Sequence, residues 1–212
     1  DDTMAVLWQR MQAAQQLRSR QLAGALESLR GAHGAVPPAS SADLGRALSR
    51  AALVLRDNVR HRARIERAYR RAIGMARSEV IIANAYFVPG RKMRKALIRA
   101  AQRGVRVQLL LQGRYEYFMQ YYSSRPVYGA LLQAGVEIHE YAPSFLHAKV
   151  AVVDGHWATV GSSNLDPLSL LLAREANVVV RDPAFAEDLH HRLQRVMKDG
   201  SSEISASDWQ RG

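Results

Sequence analysis

The 212-residue sequence contains no cysteine. That excludes a disulfide framework and a thiolate metal site, and it fits a reducing compartment. No apolar run approaches the roughly 18 residues that suggest a membrane-spanning helix. The opening DDTMAVLWQR has neither the basic start nor the apolar centre of a signal peptide. It also lacks a methionine at position 1, from which the native N-terminus is expected upstream. Glycine-rich phosphate loops of the GxGxxG or P-loop type are missing, which argues against a nucleotide-binding enzyme. The carboxylates do not cluster and the histidines are scattered, so the residues call for no metal and no cofactor.

Acidic residues are scarce in one region. Between Arg56 and Arg106, 15 lysines and arginines face only Asp57, Glu66 and Glu79, a local balance of +12 in a chain whose net charge is +11. The positive charge therefore belongs to this block, which attracts phosphate on nucleic acid or on an anionic membrane surface. A solvated helix face is the competing reading.

Apolar residues from Leu7 to Leu29 recur at helical intervals and predict a helix over residues 4–30 without a partner in its own segment. GAHGAVPPASSADLG then reads as a linker, residues 31–48, with the compact domain at 49–212. In that domain a short apolar stretch, AALVL, precedes a helix expected from Asn58 to Arg77 that buries Ile65, Tyr69, Ala72, Ile73 and Ala76. Next come strand EVIIANAYF, helix GRKMRKALIRAAQRG, strand VRVQLLL, a helical stretch from Tyr117 to Ala134 and strand GVEIHEY. Gly104 and Gly135 stand where the helices should stop. This βαβαβ alternation marks an α/β layer fold with parallel strands. A hairpin, the strand EANVVVRD and a helix from Pro183 to Met197 follow, so the sheet should be mixed. The cluster YEYFMQYY, Tyr115 to Tyr122, suits an acyl-chain groove, a membrane interface or a core.

The chemistry concentrates in HAKVAVVDGHWATVGSSN, His147 to Asn164. Asp154-Gly155 signals a two-residue hairpin loop, which would set His147 opposite Ser162 and Lys149 opposite Val160, with His147, Lys149 and Ser162 on one sheet face. Lys149, Ser162 and Asn164 can donate to phosphate oxygens, and the lysine charge can offset negative charge gathering on a phosphoryl group. A neutral imidazole nitrogen of His147 can attack phosphorus. Asp154 reads as a support of the hairpin, and Glu175 as a carboxylate able to pair with Arg174 or another arginine. His139, His156, His190 and His191 lack the surrounding pattern and read as structural or exposed. Metal-independent phosphodiester chemistry follows.

This segment resembles the HxKx4Dx6GSxN motif of the phospholipase D superfamily, with Glu175 falling where that family carries an acidic residue that orients the histidine. NAYFVPG, HWATVGSSNLDPLSL and EANVVV are similar to the second half of the B-type bacterial cardiolipin synthases. The resemblance covers roughly residues 56–198. It implies catalytic roles for His147, Lys149, Asp154 and Glu175, and phosphate binding by Lys149, Ser162 and Asn164. Such enzymes use the motif twice per site, one histidine attacking phosphorus and the other protonating the leaving oxygen. No second histidine with a lysine two positions later is present, and no second GSxN. The expectation is the C-terminal half of a phosphatidyltransferase, completed by a missing N-terminal half or by a second copy. It would act through a phosphohistidine on phospholipid, at the cytoplasmic face of a bacterial membrane. The alternative is a homodimeric phosphodiesterase or nuclease; the synthase resemblance makes nucleic acid the less favoured substrate.

Overall fold

The computed structural model describes residues 51–56, 63–114, 127–166 and 174–211. The expected helix over 4–30, the linker, the Tyr115–Tyr122 cluster and most of LDPLSLLLA lie outside them.

Strong local patterns become the expected elements. Helix α1 (Arg64–Met75) places Ile65, Tyr69, Ala72 and Ile73 inward and its arginines outward. Helix α2 (Arg91–Gln102) buries Met93, Leu97 and Ala100. A third helical stretch spans residues 127–133. Helices α3 (Pro183–Gly200) and α4 (Ala206–Arg211) close the chain, α3 beginning on the Asp182 carboxylate, which accepts the Phe185 N–H. Gly104 and Gly135 adopt φ of 86° and 85°, left-handed stops that a side chain would strain.

Among the described residues eight strands form one mixed sheet: β1 (Ala51–Arg56), β2 (Glu79–Asn84), β3 (Arg106–Gln112), β4 (Glu137–Tyr141), β5 (Lys149–Val153), β6 (Trp157–Gly161), β7 (Glu175–Val180) and β8 (Ser201–Glu203). Their order is β1-β7-β6-β5-β2-β3-β4-β8. Strands β2, β3 and β4 are parallel, as the βαβαβ pattern predicts, and the other pairs are antiparallel. Val107 to Leu111 of β3 are all buried, the mark of a parallel strand covered on both faces. On one face Val80, Ile82, Leu109, Ala151 and Trp157 pack under α1 and α2. On the other, Ile81, Ala83, Leu110, Val152 and Ala158 meet Ala186, Leu193 and Met197 of α3.

The hairpin register differs from the expected one. Val150 pairs with Val160 and Val153 with Trp157, so the loop is Asp154-Gly155-His156, one residue longer than the dipeptide predicts. Its φ values are 50° at Asp154 and 65° at Gly155, and His156 N–H returns to Val153 O at 3.2 Å. The cause is a tertiary contact. The Asp154 carboxylate is drawn onto the start of β2, where it accepts the N–H groups of Arg77, Ser78 and Glu79 at 2.9 Å each and the Ser78 hydroxyl at 2.8 Å. A slip of one residue exchanges faces, so Lys149 falls beside Gly161 rather than opposite Val160, and the expected His147–Ser162 pairing does not form.

Candidate active site

The corrected register assembles a polar row at the carboxyl end of β2, the end of a parallel sheet where ligands bind. Lys149, the first residue of β5, is paired with Asn84, the last of β2. Gly161, the last of β6, is paired with Asn177 of β7, and one step outward Glu175 is paired with Arg56 of β1. Asn84, Lys149, Asn177 and Arg56 are all buried on the α1 side of the sheet. Polar residues placed so deep need partners or a purpose.

Lys149 is 7% exposed, and its ammonium reaches the His147 carbonyl at 3.3 Å. Burial pushes its pKa down, and the charge of Glu175 pulls it part of the way back. A desolvated cation is thus held next to the motif histidine, as an anion-binding group should be. The His147 ring is exposed and makes no hydrogen bond or ion pair among the described residues, which leaves its nitrogens free to react. Glu175, which the resemblance casts as the orienter of His147, instead accepts the Ser162 hydroxyl.

The loop after β6 is clamped from three directions. Ser162 N–H donates to Ala176 O at 3.0 Å, and its hydroxyl accepts Ala176 N–H at 3.1 Å. Leu165 N–H donates to Asn84 Oδ1 at 3.3 Å, and Leu165 O accepts Val88 N–H at 3.0 Å. Asn164, half-buried, is carried between these anchors. Gly161 is required sterically: a Cβ there would run into the Asn177 side chain, which crosses above it. Asn177 in turn donates to Thr159 Oγ1 at 3.2 Å, and that hydroxyl donates to Val178 O at 3.0 Å. Behind them Tyr69, whose phenol pKa is raised by burial, packs edge-on to Trp157 with ring centroids 6.0 Å apart.

His147, Lys149, Ser162, Asn164 and Glu175 therefore gather at one end of the sheet, but Asp154 does not. It lies at the far end of β5, roughly 15 Å from Lys149 for five residues of extended chain. Burial pushes its carboxyl up, but the three backbone N–H groups and the Ser78 hydroxyl outweigh burial and hold it below the usual carboxylate range. There it supports the hairpin, apart from the side chains gathered at the other end. His190 binds Glu79 at 2.6 Å at that same far end, and His156 Nδ1 lies 3.0 Å from Asp154 O. Among the described residues no group of three metal-ligating side chains forms.

Sequence reasoning left Asn84 and Asn177 unremarked and counted Arg56 only as part of the basic block. The available signal was a polar residue interrupting an apolar strand, IIAN and EANVVV. What no periodicity could show is that three strands bring these interruptions into one row. The assembled site offers one exposed imidazole, two buried cations, Lys149 and Arg56, and a clamped loop, a set of groups able to bind a phosphoryl group and approach it from one side.

The family described as "Cardiolipin synthase, PLD-like domain" matches residues 69–197. Cardiolipin synthase B of Escherichia coli strain K12 is 48% identical over 152 residues, 72% of this chain and 37% of that protein. Cardiolipin synthase B of Salmonella typhi is 45% identical over 159 residues, 75% of this chain and 38% of that protein. The chain therefore spans less than two fifths of the length of these relatives. Among solved structures, the phospholipase D family member Nuc from Salmonella typhimurium superposes with a TM-score of 0.61 at 19% identity, covering 73% of this chain and 97% of Nuc, a likeness of fold.

Proposed function

With the chain a member of the cardiolipin synthase, phospholipase D-like family, we propose that it is the C-terminal catalytic half of a phosphatidyltransferase that makes cardiolipin. Residues 49–212 are the motif-bearing domain, residues 31–48 the linker to it, and residues 1–30 the closing helix of a preceding half-domain. The observation that carries this is an exposed His147 ring, without a hydrogen bond among the described residues, beside a buried Lys149 that bonds the His147 carbonyl. An imidazole nitrogen of His147 attacks the phosphorus of a phosphatidyl donor while the bond to the leaving alcohol breaks. The alcohol oxygen takes its proton from a histidine that this half does not supply. The hydroxyl of phosphatidylglycerol then attacks phosphorus, returning a proton to that second histidine as the bond to the His147 nitrogen breaks, which completes the transfer. Lys149, with Asn164, holds the phosphoryl oxygens as charge grows on them. Ser162, expected from the motif as a third donor, gives its hydroxyl to Glu175 and fixes the loop instead, and Glu175 opposes the loss of the lysine proton.

Supply of the second histidine falls to the remainder of a longer chain, in line with the relatives' lengths. The reading places the enzyme peripherally at the cytoplasmic face of a bacterial membrane. Among the described residues no helix is long and apolar enough to cross one. The outer faces of α1 and α2 support attachment to anionic lipid, since Arg64, Arg71, Lys92, Lys95 and Arg99 line one open cleft with no carboxylate among its lining residues. Arg56 and Arg106 leave this surface, the first buried at the site and the second bound to Glu137.

The test is phosphatidyl transfer to labelled phosphatidylglycerol in the complete protein. Wild type should form cardiolipin, with activity surviving EDTA, and His147→Ala should lose turnover while staying folded. Robust turnover by a proven monomer of the 212-residue chain, or a divalent metal requirement in the chemical step, would refute the half-site mechanism.

A further inference from the structure

The loop that leads into the motif histidine is held firmly and yet carries its largest apolar side chain into the open. Between β4 and β5, Ala142, Pro143, Ser144 and Phe145 are consecutive exposed residues, and none of them is charged. Phe145 is 54% exposed. Both sides of the loop are tied to the end of β3 and the residues after it. Gly113 N–H donates to Tyr141 O at 2.8 Å, Arg114 Nε to Ala142 O at 2.6 Å, and Leu146 N–H to Gln112 Oε1 at 2.8 Å. Gly113 is needed for this approach, because a Cβ there would lie 2.9 Å from Tyr141 O. A single exposed phenyl is ordinary on a protein surface; on a loop fastened at both sides its exposure is built in.

Arg114 and the position of the loop select what Phe145 meets. The Arg114 guanidinium lies 5.9 Å from the Phe145 ring centroid. Its Nε is spent on Ala142 O, and among the described residues no carboxylate pairs with its terminal nitrogens. An apolar ring beside a cation open to phosphate suits the boundary between acyl chains and headgroups, where aromatic rings and snorkelling arginines gather. Phe145 also stands two residues from His147, within about 7 Å along the chain. A phospholipid whose acyl chains stay in the bilayer keeps its phosphorus at headgroup level, so an imidazole that attacks it works close to that boundary. We propose that the loop of residues 142–145 is the point at which the protein enters the lipid interface, with Phe145 inserted among the acyl chains beside the site and Arg114 on the phosphate of a neighbouring phospholipid. This rests on the reading of the substrate as a phospholipid, and it adds to the attraction of α1 and α2 a fixed anchor that turns the site toward the bilayer.

The complete protein would be bound to vesicles of phosphatidylglycerol in phosphatidylcholine, and cardiolipin synthesis followed on those vesicles and on monomeric dihexanoyl phosphatidylglycerol. Phe145→Ala should weaken vesicle binding about tenfold, the effect of withdrawing a partly buried phenyl ring, and raise the vesicle concentration for half-maximal rate to match. Its maximal rate, its rate on the monomeric lipid and its melting temperature should stay at wild-type values, and Phe145→Trp should bind at least as tightly as wild type. Arg114→Gln should weaken binding to the same vesicles about fivefold. Undiminished binding by Phe145→Ala, or an equal loss of rate on vesicles and on monomer, would overturn the proposal. So would a fall in the melting temperature of Phe145→Ala, which would place the ring in a protein contact. Weakened binding in a protein that makes no cardiolipin would keep the anchor and remove the assigned activity; cardiolipin synthesis with binding unchanged by both substitutions would do the reverse.

Discussion

Asp154 is the residue on which motif and structure part, and Asp154→Asn separates them. One carboxylate oxygen accepts Ser78 N–H, Ser78 hydroxyl and Glu79 N–H; the other accepts Arg77 N–H. The amide can keep the first set through its oxygen, but its NH2 then faces the Arg77 N–H, and the remaining bonds lose their charge. A hydrogen bond to a charged group is worth about 1.5–3 kcal/mol. Since this corner is partly open to water, the total loss should be about 2–3 kcal/mol, or about 5–10 °C in melting temperature for a domain of this size. The sign of the pH effect follows from the lowered carboxyl pKa. Stability contributed by Asp154 is present above its unfolded value of about 3.9 and is lost as pH falls through the folded value, so wild type and variant should converge below about pH 4. Thermal melts across pH would measure this, beside cardiolipin synthesis by the complete enzyme well below its melting temperature. We expect a destabilised variant with near-normal turnover. A variant as stable as wild type but without activity would refute the structural assignment and return Asp154 to catalysis.

Lys149→Met keeps most of the stem and removes the charge; turnover should fall by about two to three orders of magnitude with melting temperature equal or slightly higher, since a desolvated cation is removed. Near-normal activity in the complete enzyme would make the lysine structural. Gly161→Ala should destabilise by about 1–3 kcal/mol through collision with Asn177; adding Asn177→Gly should recover part of that loss in a denaturant cycle, and strict additivity would contradict the crowding. Charge reversal on α1 and α2, Arg64→Glu with Arg71→Glu and Lys95→Glu, should lower flotation with anionic liposomes, as should added salt, at about 1 kcal/mol per basic residue near the surface. Equal binding to neutral and anionic vesicles would return these residues to ordinary solvation.

Local chemistry determined much of this protein before any coordinates. Period and punctuation placed α1, α2 and α3 and the parallel core β2-β3-β4, because helix faces, glycine stops and buried strand runs depend on neighbours a few residues away. The motif marked His147, Lys149, Ser162 and Asn164 for the same reason: they lie within one hairpin. The tertiary structure decided what distant segments settle between them. AALVL became an edge strand because β7, more than a hundred residues later, pairs with it. Asp154 moved out of the site because the start of β2 offered it four donors, and that contact lengthened the loop, shifted the register and set Lys149 beside Gly161. Asn84, Asn177 and Arg56 entered the site only when β2, β7 and β1 were laid beside the motif strands. A sequence states which faces are apolar and which side chains can carry charge; which faces meet is fixed by packing across the whole sheet.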